Sequence, residues 1–274
     1  MRLGRSRRST NVIDARGRSG GARMGRGAAI GCGPLIVIGA LVLLFGGDLG
    51  DVLQIAQGGG GSTAPVEQAP SGPAQDAAGE YIERVLGETE DVWEEVYPAA
   101  TGQPYREPAL VLYDRVYPTA CGTGTSATGP FYCPRDQRVY LDLSFFQQLD
   151  RMGGRGDFAP AYVIAHEVGH HIQNLTGVLG RSQQSRDPQS GLRVELQADC
   201  YAGVWAHHAD AQRDVLEDED VQEGINAAAA VGDDAIRGGA VSPDNLSHGT
   251  SEMRVEWFLR GFRSGDMRQC DTFG

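Results

Sequence analysis

Residues 165–173 read "AHEVGHHIQ" and follow the apolar approach "FAPAYVI" at 158–164. On a helix, His166 and His170 are four apart and share one face, one turn above the other. Two imidazoles at that spacing can share a tetrahedral zinc, with Glu167 beside the open coordination position. His171 points about 100° away from His170 on the same helix, so it is read as a packing residue or a support behind the ligands, not a ligand. The third ligand must come from elsewhere in the chain.

The helix expected at 192–209, "LRVELQADCYAGVWAHHA", supplies it. Glu195 and Asp199 are four apart on one face, and Leu196, Tyr201, Val204 and Trp205 lie on the other. A carboxylate from a second helix completes a two-histidine site and leaves the fourth position to water, so Glu195 is read as the ligand. Asp199, one turn on, is placed to accept the free ring N–H of a ligating histidine. His207 and His208 end this helix, where the dipole favours a cationic imidazole, and are read as structural.

Working outward, "PALVLYD" (108–114) and "RVYLDLS" (138–144) are short and rich in β-formers, and both are expected to be strands. The segment "GEYIERVLGETEDVWEEVYPAA" (79–100) has the apolar spacing of a helix that ends near Pro98. Two helices are expected within 214–239 and a last one at 251–262. The fold class is α+β, mostly helical, with a small sheet against the helices.

All 24 basic residues are arginine, and eight of them precede residue 27 against the single acid Asp14. The rest of the chain is therefore more acidic than the net charge of −12 suggests, which argues against a nucleic-acid partner. Residues 28–47, "AAIGCGPLIVIGALVLLFGG", carry no charge and are long enough to cross a bilayer as a helix. The preceding arginines predict a cytoplasmic N-terminus, with a cleaved signal peptide as the competing reading. The organisation expected is a cytoplasmic arginine-rich segment at 1–27, a transmembrane anchor at 28–47, a flexible Gly/Pro/Ser/Ala-rich linker at 48–79 and a catalytic domain at 80–274.

That topology places the domain outside the cytoplasm, where cysteines pair. Cys32 lies in the anchor, and the other four allow three pairings. Cys121–Cys133 would close a turn-rich loop and Cys200–Cys270 would tie the C-terminal tail to a helix; these are the pairings expected. There is no G-x-S-x-G, no phosphate-binding glycine loop and no dinucleotide fingerprint.

Several long stretches carry a resemblance: "STNVIDARG" (9–17), "GPFYCPRDQRVYLDLSFF" (129–146), "AHEVGHHIQN" (165–174), "ELQADCYAGVWA" (195–206), "AAAAVGDD" (227–234) and "SHGTSEMRVEWF" (247–258). Over nearly its whole length the chain resembles the bacterial membrane-anchored neutral zinc metallopeptidases. The resemblance implies a zincin-like domain with zinc on His166, His170 and Glu195, Glu167 as the catalytic base, and a peptide or protein substrate. More distantly, "SHGTSEMR" is similar to a segment of the HtpX-like and CaaX-type membrane metalloproteases. It offers His248 and Arg254 as further catalytic residues, although Gly249 stands where those families usually have proline. A zinc-containing binding module without turnover is the rival expectation, and a closed structural site would need a fourth protein ligand.

Overall fold

A computed structural model of the chain describes residues 1–17, Ala74 and 76–273. In chain order its elements are strand β1 (Val12–Asp14), helix α1 (Ala77–Thr101), β2 (Ala109–Tyr113), β3 (Val116–Thr119), β4 (Gly122–Thr125), β5 (Phe131–Cys133) and β6 (Arg138–Asp142). Helices follow: α2 (Ser144–Met152), α3 (Phe158–Leu175), α4 (Val178–Gln184), α5 (Ser190–Arg213), α6 (Asp220–Ala230), α7 (Asp233–Arg237) and α8 (Ser251–Ser264). The α+β, mostly helical expectation holds.

The main sheet has the order β1-β2-β6-β5, with β1, β2 and β6 parallel and β5 antiparallel at one edge. Alternation along the strands sends successive side chains to opposite faces. Leu110, Leu112, Val139 and Leu141 point into the main core with the helices. Val111, Tyr113, Tyr140 and Cys133 form a second buried cluster with Tyr117, Cys121 and Phe131, on or beside the β3–β4 hairpin. Both faces are covered, which is why β2 and β6 read as nearly continuous apolar runs.

Helix α1 does not stop at Pro98. It continues to Thr101 and ends on Gly102, in the left-handed region, whose N–H reaches the Pro98 carbonyl. A proline in the last turn withholds one N–H, and the carbonyl it would have served belongs to exposed Glu94, which water can satisfy.

The domain boundary differs from the expectation. Residues 1–17 belong to the same folded body as 76–273: Val12, Ile13 and Asp14 pair in register with Leu110, Val111 and Leu112. Arg7 pairs with Glu90 at 2.8 Å and Asp91 at 2.6 Å, Arg8 with Glu83, and Arg16 with Asp14 at 2.6 Å and Asp76 at 2.9 Å. Arginines expected to mark a separate cytoplasmic segment thus serve ion pairs within the domain. The anchor expected at 28–47 lies outside the described residues, as does nearly all of the linker. Among the described residues no helix is long and apolar enough to cross a membrane.

Both expected disulfides are present, Cys121–Cys133 and Cys200–Cys270, with Cα separations of 5.7 and 5.5 Å.

Candidate metal centre

Helices α3 and α5 pack closely because glycine stands at the contact. A Cβ on Gly169, inside the H-E-x-x-H turn, would meet the Ala198 carbonyl oxygen at 3.0 Å and its Cα at 3.1 Å. Helices α5 and α8 approach closer still, since a Cβ on Gly203 would lie 2.0 Å from the Phe258 carbonyl oxygen. The first contact brings His166 and His170 to Glu195. The second brings Arg254 to Asp199.

His166, His170 and Glu195 offer ligand atoms that all lie within 4.8 Å of one another. His166 Nε2 is 3.4 Å from Glu195 Oε2, and His170 Nε2 is 3.6 Å from Glu195 Oε1. Ligands about 2.0–2.1 Å from a tetrahedral ion stand roughly 3.3–3.4 Å apart, close to the two histidine–carboxylate spacings. Two imidazoles and a carboxylate are also the donor set that zinc prefers over magnesium or calcium. Glu167, 7% exposed, lies beside this set. Burial raises its carboxyl above the ordinary range, while the two histidines draw it back. Burial would raise Glu195 as well, but His170 and His166 dominate and hold it well below the usual range.

Behind the ligands is a buried polar layer. His166 Nδ1 donates to Asp199 Oδ1 at 2.8 Å. Burial alone would strip a proton from this imidazole, but the charge and hydrogen bond of Asp199 outweigh it and raise the group to about 9. Asp199 also accepts from the Tyr162 hydroxyl and receives a two-pronged contact from Arg254, Nε to Oδ2 and Nη2 to Oδ1, each 2.8 Å. Arg254 Nη1 donates to the Val231 carbonyl at 3.0 Å. Arg254 was expected among the catalytic groups, yet its guanidinium is committed behind the ligands, to Asp199, and not to the open face.

His248 is buried. Its Nδ1 lies 3.2 Å from Asp233 Oδ1, and Asp233 Oδ2 accepts from the backbone N–H groups of Ser247, His248 and Gly249 at 2.7, 2.9 and 3.1 Å. It does not cap the last helix; Thr250 does, accepting from Met253 N–H. His170 Nδ1 meets Gln173 Oε1 at 2.8 Å. Asp233, Tyr162 and Gln173 were not foreseen. Tyr162 and Gln173 sit at i−4 from His166 and i+3 from His170, spacings that mark a shared face. Asp233 has no such local signal.

The remaining histidines are structural, as expected. His171 accepts from the Tyr132 hydroxyl at 2.9 Å and donates to the Arg106 carbonyl at 2.6 Å, and burial lowers it to about 4. His207 and His208 donate to the carbonyls of Phe262 and Gly265. A second acidic group, Asp157, Asp220 and Glu223, already accepts from the Met1 amine and the Phe158 N–H and offers oxygen alone.

Two helices carrying H-E-x-x-H and E-x-x-x-D thus bring together two histidines and a carboxylate that could hold a metal ion, with an adjacent acid. The model of the family described as "Putative neutral zinc metallopeptidase" matches residues 1–273, and the chain belongs to that family. The chain is 43% identical to the uncharacterized protein YpfJ of Escherichia coli K12 across 100% of this chain and 99% of the relative. It is 44% identical to the uncharacterized protein Rv2575 of Mycobacterium tuberculosis H37Rv, over 66% of each chain. No solved structure matches it.

Proposed function

We propose that the protein is a zinc endopeptidase of the cell envelope that hydrolyses peptide bonds with Glu167 as the general base. The observation that carries this reading is the convergence of His166, His170 and Glu195 at zinc-ligand spacing, with a buried, proton-accepting carboxylate beside them. Bound zinc would polarise the scissile carbonyl and bring the pKa of a water toward about 7. Glu167 takes the proton from the attacking water and passes it to the leaving amine. Asp199, itself held by Arg254 and Tyr162, fixes the ring of His166 so that Nε2 faces the metal. His248, steadied by Asp233, is read as the donor to the developing oxyanion.

The likeness of "SHGTSEMR" to HtpX-like and CaaX-type enzymes enters this reading through His248 as donor and Arg254 as the support of Asp199. An extended peptide would lie along β5. Strand β6 is paired on both sides, by β2 and β5, whereas β5 forms an edge of the sheet. The two disulfides favour an oxidising compartment; in this reading the domain works outside the cytoplasm, attached at the membrane through residues 28–47.

The test is zinc content together with cleavage of a mixed peptide library. Glu167→Gln is expected to keep one zinc per chain and lose turnover by at least about 10²-fold, since it removes the proton carrier and no ligand. Glu195→Ala is expected to lose zinc as well. Cleavage by Glu167→Gln at the wild-type rate would overturn the mechanism. Full zinc with no cleavage of any peptide by the wild type would favour the binding module.

A further inference from the structure

The two histidines are held from behind in different ways. His166 donates to a charged carboxylate. His170 donates to a neutral amide, and that amide is the first of a buried series. Gln173 Nε2 donates to the Val194 carbonyl at 2.7 Å and to Gln197 Oε1 at 3.1 Å. Gln197 Nε2 in turn donates to the Cys270 carbonyl at 2.8 Å. Gln173 and Gln197 are 0% and 5% exposed, and Cys270 is fully buried.

The direction of this series is fixed from its far end. A backbone carbonyl only accepts, so Gln197 must turn its NH2 to Cys270 and its oxygen to Gln173. The Val194 carbonyl imposes the same choice on Gln173. The only atom Gln173 can then present to His170 is Oε1, so His170 must carry a proton on Nδ1, and Nε2 is the ring nitrogen left to face a metal. Nε2 is the atom 3.6 Å from Glu195 Oε1. The terminal acceptor is itself anchored, because Cys270 is bonded to Cys200, the residue after Asp199.

Resting on the reading of His166, His170 and Glu195 as zinc ligands, we propose that the disulfide-held C-terminal tail is part of the metal centre. Gln197 and Gln173 are positioning residues that transmit the Cys270 carbonyl to the ring of His170 and set its tautomer. The Cys200–Cys270 bond therefore does more than join a tail to a helix. It keeps the end of the series in place.

The test uses the full-length chain and two readouts, neither of them hydrolysis. In metal-free protein, 15N shifts of the His170 ring report which nitrogen carries the proton; zinc affinity is then read by competition with a chelator. Wild type is expected to show the Nδ1–H form of His170. Gln173→Leu is expected to mix the tautomers and weaken zinc by about 10–100-fold. Gln197→Leu, which leaves the disulfide intact, is expected to shift both readouts in the same direction by less. The double variant Cys200→Ser/Cys270→Ser should do likewise, and His207→Ala should do neither. A purely structural role would lower the melting temperature and leave the His170 tautomer alone. An unmoved tautomer and unchanged zinc affinity in Gln173→Leu and Gln197→Leu would overturn the proposal. Absence of zinc binding in the wild type would instead overturn the ligand assignment, with the tautomer still testing the series.

Discussion

Asp233 shows how much of the site depends on one carboxylate outside the motif. Its two oxygens take three backbone N–H groups, the Ser247 hydroxyl and His248 Nδ1, fixing the turn that presents His248. Burial alone would raise this carboxyl, but the hydrogen bonds from His248 and Ser247 outweigh it and hold the group far below the usual range. A carboxyl depressed in the folded state stabilises the fold above its unfolded value, about 3.9, and loses that contribution as pH falls toward the folded value. Asp233→Asn is therefore expected to cost about 1–3 kcal/mol at pH 7. The gap to wild type should narrow as the pH falls below about 4. Urea unfolding at a series of pH values checks this, and a gap independent of pH would mean that the carboxylate charge is not its source. At this scale the sequence was most legible where partners are local. His166, Glu167 and His170 announce themselves by spacing, and Glu195 with Asp199 by the same rule on a second helix. Asp233 reaches His248 across 15 positions, and no periodicity records such a contact.

At the scale of elements, the ligand geometry depends on how near two helices come. Gly169 permits α3 to lie against Ala198 of α5, and Gly203 permits α5 to lie against Phe258 of α8. The two contacts differ in tightness, and that difference makes a prediction. A methyl at 169 needs a few tenths of an ångström of separation, so Gly169→Ala is expected to fold, to lose about 1–3 kcal/mol and to bind zinc more weakly. A methyl at 203 would sit 2.0 Å from a backbone oxygen, so Gly203→Ala should be the more destabilising of the two. Melting temperature and zinc affinity measured on both decide it; Gly169→Ala with wild-type zinc affinity would mean that this approach does not set the ligand spacing. Helices α3, α5 and α8 and strands β2 and β6 were readable because each is long or strongly patterned. Strands β1 and β5 have three residues each, too few for a period to show, and β1 sits among arginines that suggest a different role. The edge position of β5 follows from sheet order, which strand propensity alone does not contain.

For the whole molecule, the consequential contact is between the N-terminal segment and the domain. Arg16 Nη1 lies 2.9 Å from Asp76 Oδ2, so the last part of 1–17 and the first turn of α1 meet on one side of the fold. β1 also covers β2, whose Leu110 and Leu112 are fully buried. A single membrane crossing between these two segments would hold them about 30 Å apart, on opposite faces of a bilayer. Docking of β1 and a single crossing by residues 28–47 are therefore mutually exclusive in any one molecule. With β1 docked, the N-terminus and the domain at 76–273 share a side. Single cysteines placed at exposed Arg5 and exposed Asp244, in a Cys32→Ser background, measure this with a membrane-impermeant maleimide on intact spheroplasts. The expected outcome is equal labelling of the two positions, both accessible if the disulfides form where the domain works. Labelling at 244 with protection at 5 would show that the chain crosses once and that β1 is undocked in the membrane. Protection of both, released only by lysis, would place the whole body in the cytoplasm and remove the oxidising environment that the disulfides require.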